Sequence, residues 1–354
     1  MKSARFFESV FRPQVFDELR QETVEVDAYV YELPLVTRFR GITNRSGVLL
    51  RGAAGWAEVS PFWDYDDAYS ARWLFGALDH AVRGLPAPER MQIPVNVTVP
   101  AVGPQEAYRF AQGLGATTAK VKVADQGHSA DDDLARLRAV REALGPKSKI
   151  RIDVNGRWDL DQAIELIPRY DEAACGLEYV EQPVMDVDDL ATVRRKVEVP
   201  IAADESIRRA EDPFLVKEKE AADVVVLKNQ PLGGVRAALE LIHELEMPVV
   251  VSSALESSVG LRAGLGLAGA LCELNHACGL GTASLLKFDV TSEPLKARNG
   301  AIKIREVEPD LERIHACTSK ETTEKWRGRI KKMWQIVVDD GFIARDSVIR
   351  WPDL

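Results

Sequence analysis

KIRIDVN (149–155) is a short apolar strand that ends on an acid, and the same pattern returns in GLEYVEQP (176–183) and VPIAADE (199–205). Asp153, Glu181 and Asp204 stand at the C-terminal ends of these runs, 28 and 23 residues apart, about one strand-plus-helix unit each time. The texture repeats on either side. PVNVTVP (94–100) and TAKVKV (118–123) precede, DVVVLK (223–228) and PVVVSSA (248–254) follow, and a weaker eighth run falls within 277–286. Amphipathic segments of helical period separate them, among them 131–144, 160–170, 188–197, 213–220, 235–245 and 258–271. Near-continuous apolar strands alternating with helices imply a parallel sheet covered on both faces. Eight of them over about 200 residues suit a closed, TIM-like α/β barrel. An open doubly wound sheet is the competing arrangement, but no GxGxxG opens the first unit.

The flanks do not share the repeat. Residues 1–22 mix Phe6, Phe7, Phe11 and Phe16 with charges and read as an N-terminal extension. Runs 26–33 and 47–59 are β-rich, a helix is expected over 66–82, and Gly84, Pro86 and Pro88 break the chain after it. Residues 23–91 therefore form a small α+β capping domain, joined by 292–354, with the barrel over 92–291. In the C-terminal segment Asn299-Gly300 marks a turn and 318–338 a helix, with Thr318 and Glu321 as its capping box. Trp326, Ile330, Met333, Trp334 and Val337 share its apolar stripe, and Arg327, Arg329, Lys331 and Lys332 read as its solvated face.

Composition narrows the function classes. The 354 residues are 46% hydrophobic and 29% charged, ordinary values for a packed soluble chain. Lys and Arg number 46 against 55 Asp and Glu, a net charge of −9, and no basic stripe points to nucleic acid. No window reaches the 18 or so uncharged apolar residues that a membrane span needs. Lys2 and Arg5 open the chain like a leader, but Glu8 and Arg12 interrupt the apolar run that should follow. Four cysteines make no disulfide framework, and Cys272 and Cys278 with His276 between them lack zinc-ligand spacing. A cytoplasmic protein acting on a small molecule is expected, as a monomer or a homo-oligomer.

Residues at the C-terminal ends of successive barrel strands converge on one mouth, where barrel enzymes do their chemistry. Three converging carboxylates repel one another, so a cation should hold them together, and three oxygen ligands with room for water and substrate suit Mg2+ or Mn2+. A single acid at a strand end is often only the N-cap of the next helix, and Asp204 before Glu205 and Ser206 fits that role too. Lys120 and Lys122 lie two apart, so both point to one face of their strand, and Lys228 ends the sixth strand. Inward lysines are costly unless they work beside anions. A lysine near a metal and a second cation can have its pKa lowered far enough to act as a base.

The ordered set KVK (120–122), DVN (153–155), EQP (181–183), ADES (203–206) and LKN (227–229) resembles the enolase superfamily, in its muconate-lactonizing subgroup. The resemblance implies a (β/α)7β barrel with an α+β capping domain. It implies Lys122 and Lys228 as acid/base residues on opposite sides of the site, and Asp153, Glu181 and Asp204 as Mg2+ ligands. The mandelate-racemase subgroup's His–Asp dyad has no match among the five histidines. TRFRGIT (37–43), GWAEVSPF (55–62), SSALESSVGL (252–261) and CGLGTASLL (278–286) are similar to the actinobacterial o-succinylbenzoate synthase family. That likeness implies dehydration of 2-succinyl-6-hydroxycyclohexa-2,4-diene-1-carboxylate, a dicarboxylate, to 2-succinylbenzoate during menaquinone synthesis. Ser252, Ser253, Ser257 and Gly281 would sit at the mouth end of strands seven and eight, with hydroxyls or backbone N–H groups for a carboxylate. Gly279-x-Gly281 is equally an ordinary turn. Arg38 and Arg40 fall in the loop expected to cover the site, and either could meet the succinyl carboxylate; Arg40 and Asn155 complete the substrate-binding candidates. Two other activities compete: racemisation of N-acylamino acids or epimerisation of dipeptides by the same lysines, and binding of a metabolite without catalysis. The epimerase version expects Asp-x-Asp near the last strand, where this chain has Phe288-Asp289-Val290-Thr291.

Overall fold

The computed structural model describes Leu19 and residues 23–209 and 212–352. The expected N-terminal extension lies, Leu19 apart, outside the described residues. Strands β1 (Glu25–Phe39), β2 (Ile42–Gly52) and β3 (Gly55–Val59) form an antiparallel meander. Its first hairpin runs further than the β-rich cores at 26–33 and 47–59 imply, closing on Arg40 and Gly41 at φ 49° and 80°. Two left-handed residues match the right-handed twist of the flanking strands, so 37–43 is a hairpin tip rather than a free loop. Helix α1 (Asp67–Arg83) follows, with Asp66 accepting the Tyr69 N–H as its N-cap.

After β4 (Gln92–Pro94) the chain enters the barrel. Its staves are β5 (Val97–Val99), β6 (Thr118–Lys122), β7 (Lys149–Asp153), β8 (Tyr179–Glu181), β9 (Ile201–Ala203), β10 (Val224–Leu227) and β11 (Val249–Val251), parallel and paired in that order. The helices between them are α2 (Pro104–Gln112), α3 (Ala130–Leu144), α4 (Leu160–Ala174), α5 (Val187–Lys196), the short turns α6 (Glu205–Arg208) and α7 (Leu215–Glu218), α8 (Val235–Leu245) and α9 (Ser258–Ala270). The eighth run is reduced to two residues. Cys278 bridges Val95 and Gly279 bridges Ser252, both in parallel sense, which closes the ring between β11 and β5. The rest of 277–286 turns away as a 3-10 helix, Gly281–Leu285. The fold is a (β/α)7β barrel with a capping domain.

Inside the lower barrel, Tyr179, Ala202, Val224, Val226 and Val250 pack into a core of their own, separate from the main core outside the staves. Asn299 and Gly300 make the expected turn, both at positive φ, ahead of β12 (Ala301–Lys303), which pairs with β4. Then α10 (Leu311–Cys317) and α11 (Lys320–Asp339) return to the cap, and β13 (Val348–Arg350) joins β1 in parallel.

Two expectations for α11 need correction. Its N-cap is Ser319, whose hydroxyl accepts the Thr322 N–H. Thr318 instead donates back to the Ile314 carbonyl at 2.7 Å, and Glu321 pairs with Lys325 one turn on. Arg329 is not on the solvated face. It is 6% exposed and donates to the carbonyls of Pro61, Phe62 and Tyr65 and to the Ser70 hydroxyl, because α11 lays it against a loop whose carbonyls point at it. The apolar stripe holds, with Trp326, Ile330, Met333 and Val337 buried.

Candidate active site

At the C-terminal mouth of the barrel lies a cleft roofed by the capping domain. Asp153 lines it, and Glu181 and Asp204 lie beneath, behind Lys120 and Lys228. Asp153 ends β7, Glu181 ends β8 and Asp204 follows β9, all 1% exposed or less. Lys120 and Lys122 point inward from β6, as their two-residue spacing requires, and Lys228 follows β10. Stave two and stave six of an eight-stave ring stand opposite each other, so Lys122 and Lys228 face the cleft from opposed walls.

The charges are interlocked. Lys120 Nζ lies 3.0 and 3.1 Å from the Glu181 oxygens and 3.2 Å from Asp153 Oδ2. Lys122 Nζ donates to Asp153 Oδ2 at 2.5 Å and to Asn155 Oδ1 at 2.8 Å, and Lys228 pairs with Asp204. Asp204 makes no capping bond to α6, so its side chain serves the cluster instead. Burial pushes the Lys122 ammonium below its usual range, and Lys120 adds to the effect against the pull of Asp153. Lys120 moves the other way: burial is outweighed by Glu181 and Asp153, and its proton is held tightly. Burial would raise Asp153, but Lys122 and Lys120 hold it well below the carboxylate range. Asp204 is likewise held down against its burial by Arg208 and Lys228. Glu181 is raised to about 7 by burial and by its acidic neighbours.

The donor set fits a divalent cation by chemistry: three buried carboxylates on successive staves, all hard oxygen ligands. Among the described residues no group of three or more such side chains stands ready about one point. The ammonium groups of Lys120, Lys122 and Lys228 hold those oxygens.

The wall above is built by the cap. Phe39 and Arg40 come from the hairpin tip, Phe62 and Tyr65 from the β3–α1 loop and Trp73 from α1. Arg40 stacks over Phe62 at 4.2 Å, and Lys122 Nζ lies 5.8 Å from the Phe39 ring. Arg38 does not line the cleft. Ser252, Ser253, Asn155 and Gly279 do, and the Ser253 hydroxyl also meets Thr282 at 2.8 Å.

Two further candidates do not reach the cleft. Ser257 is fully buried as the N-cap of α9, and its hydroxyl and N–H both go to Glu58 of the cap. Gly281 is glycine for packing, since a Cβ there would come within 2.6 Å of the Asn96 carbonyl where stave eight meets stave one. The charge pattern along the chain did not flag Gln182, Arg208 or Tyr65. Gln182, at φ 42°, accepts the N–H groups of Asp204 and Ser206 and so sets the turn after β9. Arg208 could have been found as the residue one helical turn after Asp204. Tyr65 carried no local signal.

The description "Enolase C-terminal domain-like" matches residues 104–309 and "Enolase N-terminal domain-like" residues 30–81. The chain is 58% identical over 284 residues to the o-succinylbenzoate synthase of Thermobifida fusca, covering 80% of this chain and 89% of that one. The chain belongs to the o-succinylbenzoate synthase family of the enolase superfamily. A second member of that family, from Mycolicibacterium smegmatis, is 47% identical over 84% of this chain and 92% of its own. Beyond the family, likeness is one of fold. The muconate lactonizing enzyme from Pseudomonas putida superposes with a TM-score of 0.70 at 20% identity, covering 84% of this chain and all of that one. The L-Ala-D/L-Glu epimerase from Bacillus subtilis does so with 0.68 at 22%, covering 82% and 98%.

Proposed function

We propose that this member of the family dehydrates 2-succinyl-6-hydroxycyclohexa-2,4-diene-1-carboxylate to 2-succinylbenzoate in menaquinone synthesis. The observation that carries this is the pair Lys122 and Lys228, facing one cleft from opposed staves with the buried carboxylates between them. Asp153, Glu181 and Asp204 would hold Mg2+, with Mn2+ as substitute. When bound, the ion supplies Lewis-acid stabilisation of the charge that grows on the ring carboxylate.

The proton to be removed sits α to that carboxylate. Lys122, its pKa lowered by burial, takes the proton as a neutral amine. Asn155 holds the Lys122 nitrogen from the other side, through Oδ1, and is itself held by Glu205 at 3.3 Å. The same ammonium then returns the proton to the departing hydroxyl, so water leaves from the face at which the base stands. Lys228 stays charged and steadies the electron-rich ring from the opposite face. Ser253 gives its hydroxyl to Glu256 and would have to turn from it to meet a substrate carboxylate, Arg40 meets the succinyl end, and the aromatic wall of the cap excludes water. Lys120 keeps Glu181 and Asp153 together. The domain division at residues 91 and 292 is proposed with this function, as is a reducing cytoplasmic setting, which the four free cysteines support.

The test is turnover of purified protein with the diene substrate and with N-acylamino acids, before and after dialysis against EDTA. Expected are dehydration, its loss on chelation and its return with Mg2+ or Mn2+. Racemisation without dehydration would transfer the assignment to the racemase activity. Full activity with metal absent by elemental analysis would remove the cation from it.

A further inference from the structure

Arg208 is an arginine buried among acids. It lies one turn after Asp204 on α6 and is 3% exposed. Its guanidinium is used on three sides: Nε donates to Asp204 Oδ1 at 2.9 Å, Nη2 to Glu205 Oε1 at 2.5 Å and Nη1 to the Tyr65 hydroxyl at 2.9 Å. The first two partners are its own neighbours in sequence. The third comes from the capping domain, 143 residues away. The same hydroxyl oxygen also accepts Arg40 Nη2 at 3.5 Å, at the hairpin tip over the cleft. Asp204, Arg208, Tyr65 and Arg40 thus form one chain of contacts from the barrel floor to the roof. Tyr69 adds a bond from its hydroxyl to the Arg208 carbonyl at 2.9 Å, which pins the end of α6 to the cap.

We propose that Tyr65 is a positioning residue: its hydroxyl seats Arg208, and Arg208 fixes the Asp204 carboxylate, so that the capping domain sets the geometry of the third carboxylate. This rests on the assignment of Asp204 as a cation ligand. With Oδ1 tied to Arg208, Asp204 presents Oδ2 to the cluster, where Lys228 now meets it. Without the Tyr65 oxygen, Nη1 of a buried guanidinium loses that acceptor. It must then tilt to find another, and its Nε–H bond to Asp204 tilts with it. Groups that orient a metal ligand from behind are typically worth about 10- to 100-fold in metal affinity.

The experiment is Mn2+ titration of the full chain, followed by electron paramagnetic resonance, in wild type, Tyr65→Phe, Arg208→Lys and the double variant, each checked for an intact unfolding transition. Tyr65→Phe should weaken Mn2+ by about 10-fold. Arg208→Lys, which keeps the charge but not the fork, should weaken it at least as much. The double variant should match Arg208→Lys alone, because the tyrosine acts through the arginine. A merely structural tyrosine would lower the unfolding temperature and add its effect independently. Equal Mn2+ affinity in wild type and Tyr65→Phe, or full additivity in the double variant, overturns the proposal while leaving the metal assignment standing. A wild type that takes up no Mn2+ removes the metal assignment and this proposal together. Should Tyr65→Phe fail to fold, Arg208→Lys decides: unchanged affinity there overturns it.

Discussion

Glu58 Oε2 accepts the backbone N–H of Ser257 at 3.1 Å, so a carboxylate from the third strand of the cap closes the N-terminus of barrel helix α9. The same oxygen accepts the Gly260 N–H at 3.1 Å, while Oε1 receives the hydroxyls of Tyr31 and Ser60. Glu256 lies across Gly260, where a Cβ would meet Glu256 Cγ at 2.7 Å and Glu58 Cδ at 2.9 Å. Two buried acids therefore share the junction of cap and barrel.

This junction predicts a pH dependence of stability. Burial first, and then repulsion from Glu256, raise Glu58 from 4.5 to about 7 in the folded chain. Between those values the folded state binds the proton more tightly, so this contribution is full below the lower one and lost as pH rises through the upper. The loss amounts to about 3 kcal/mol. Glu58→Gln keeps an acceptor for the N–H groups but cannot ionise. Urea unfolding at acid and at mildly alkaline pH should show a steeper fall for wild type than for the variant. Equal falls would mean that Glu58 is not the titrating group.

The two lysines should separate by isotope exchange. Lys122→Ala and Lys228→Ala should each lower kcat, by about 10²- to 10⁴-fold for the proton-transfer residue. A slow substrate analogue with an α-proton, incubated in D2O, should exchange with wild type and with Lys228→Ala but not with Lys122→Ala. The opposite result reverses the roles. Exchange by both variants would show each lysine reaching the carbon from its own face, as a racemase requires.

Glu181→Gln should weaken Mg2+ binding while the chain still folds. The amide keeps an oxygen for Lys120, so the floor of the cleft stays filled, but one anionic ligand is gone. Calorimetric titration of metal beside far-UV circular dichroism reads both. Unchanged metal affinity would exclude Glu181 as a ligand.

Arg329→Met should both destabilise the chain and loosen the roof of the cleft. The guanidinium holds the carbonyls of Pro61, Phe62 and Tyr65, and Phe62 and Tyr65 line the cleft. Phe62 keeps the Tyr65 N–H, but Pro61 and Tyr65 lose the guanidinium, which should cost about 2–4 kcal/mol in unfolding free energy. KM should rise more than kcat falls, since the loop carries binding surface rather than the base. A KM equal to that of wild type would confine the role of Arg329 to stability.

What the chain states on its own is periodic. Two-residue alternation put Lys120 and Lys122 on one face, and the repeat of about one strand and helix brought Asp153, Glu181 and Asp204 to one mouth. Both follow from backbone geometry, which any short window of sequence expresses. Which partner a buried polar group takes is a different matter. Ser257 looks like a binding hydroxyl until Glu58, 199 residues away, closes over it. Arg329 looks like a surface charge until the β3–α1 loop offers it three carbonyls, and Tyr65 carries no mark at all until Arg208 arrives. Such pairings are decided only when the cap seats on the barrel, because desolvation makes each buried donor take the acceptor that closure leaves beside it, however distant in sequence.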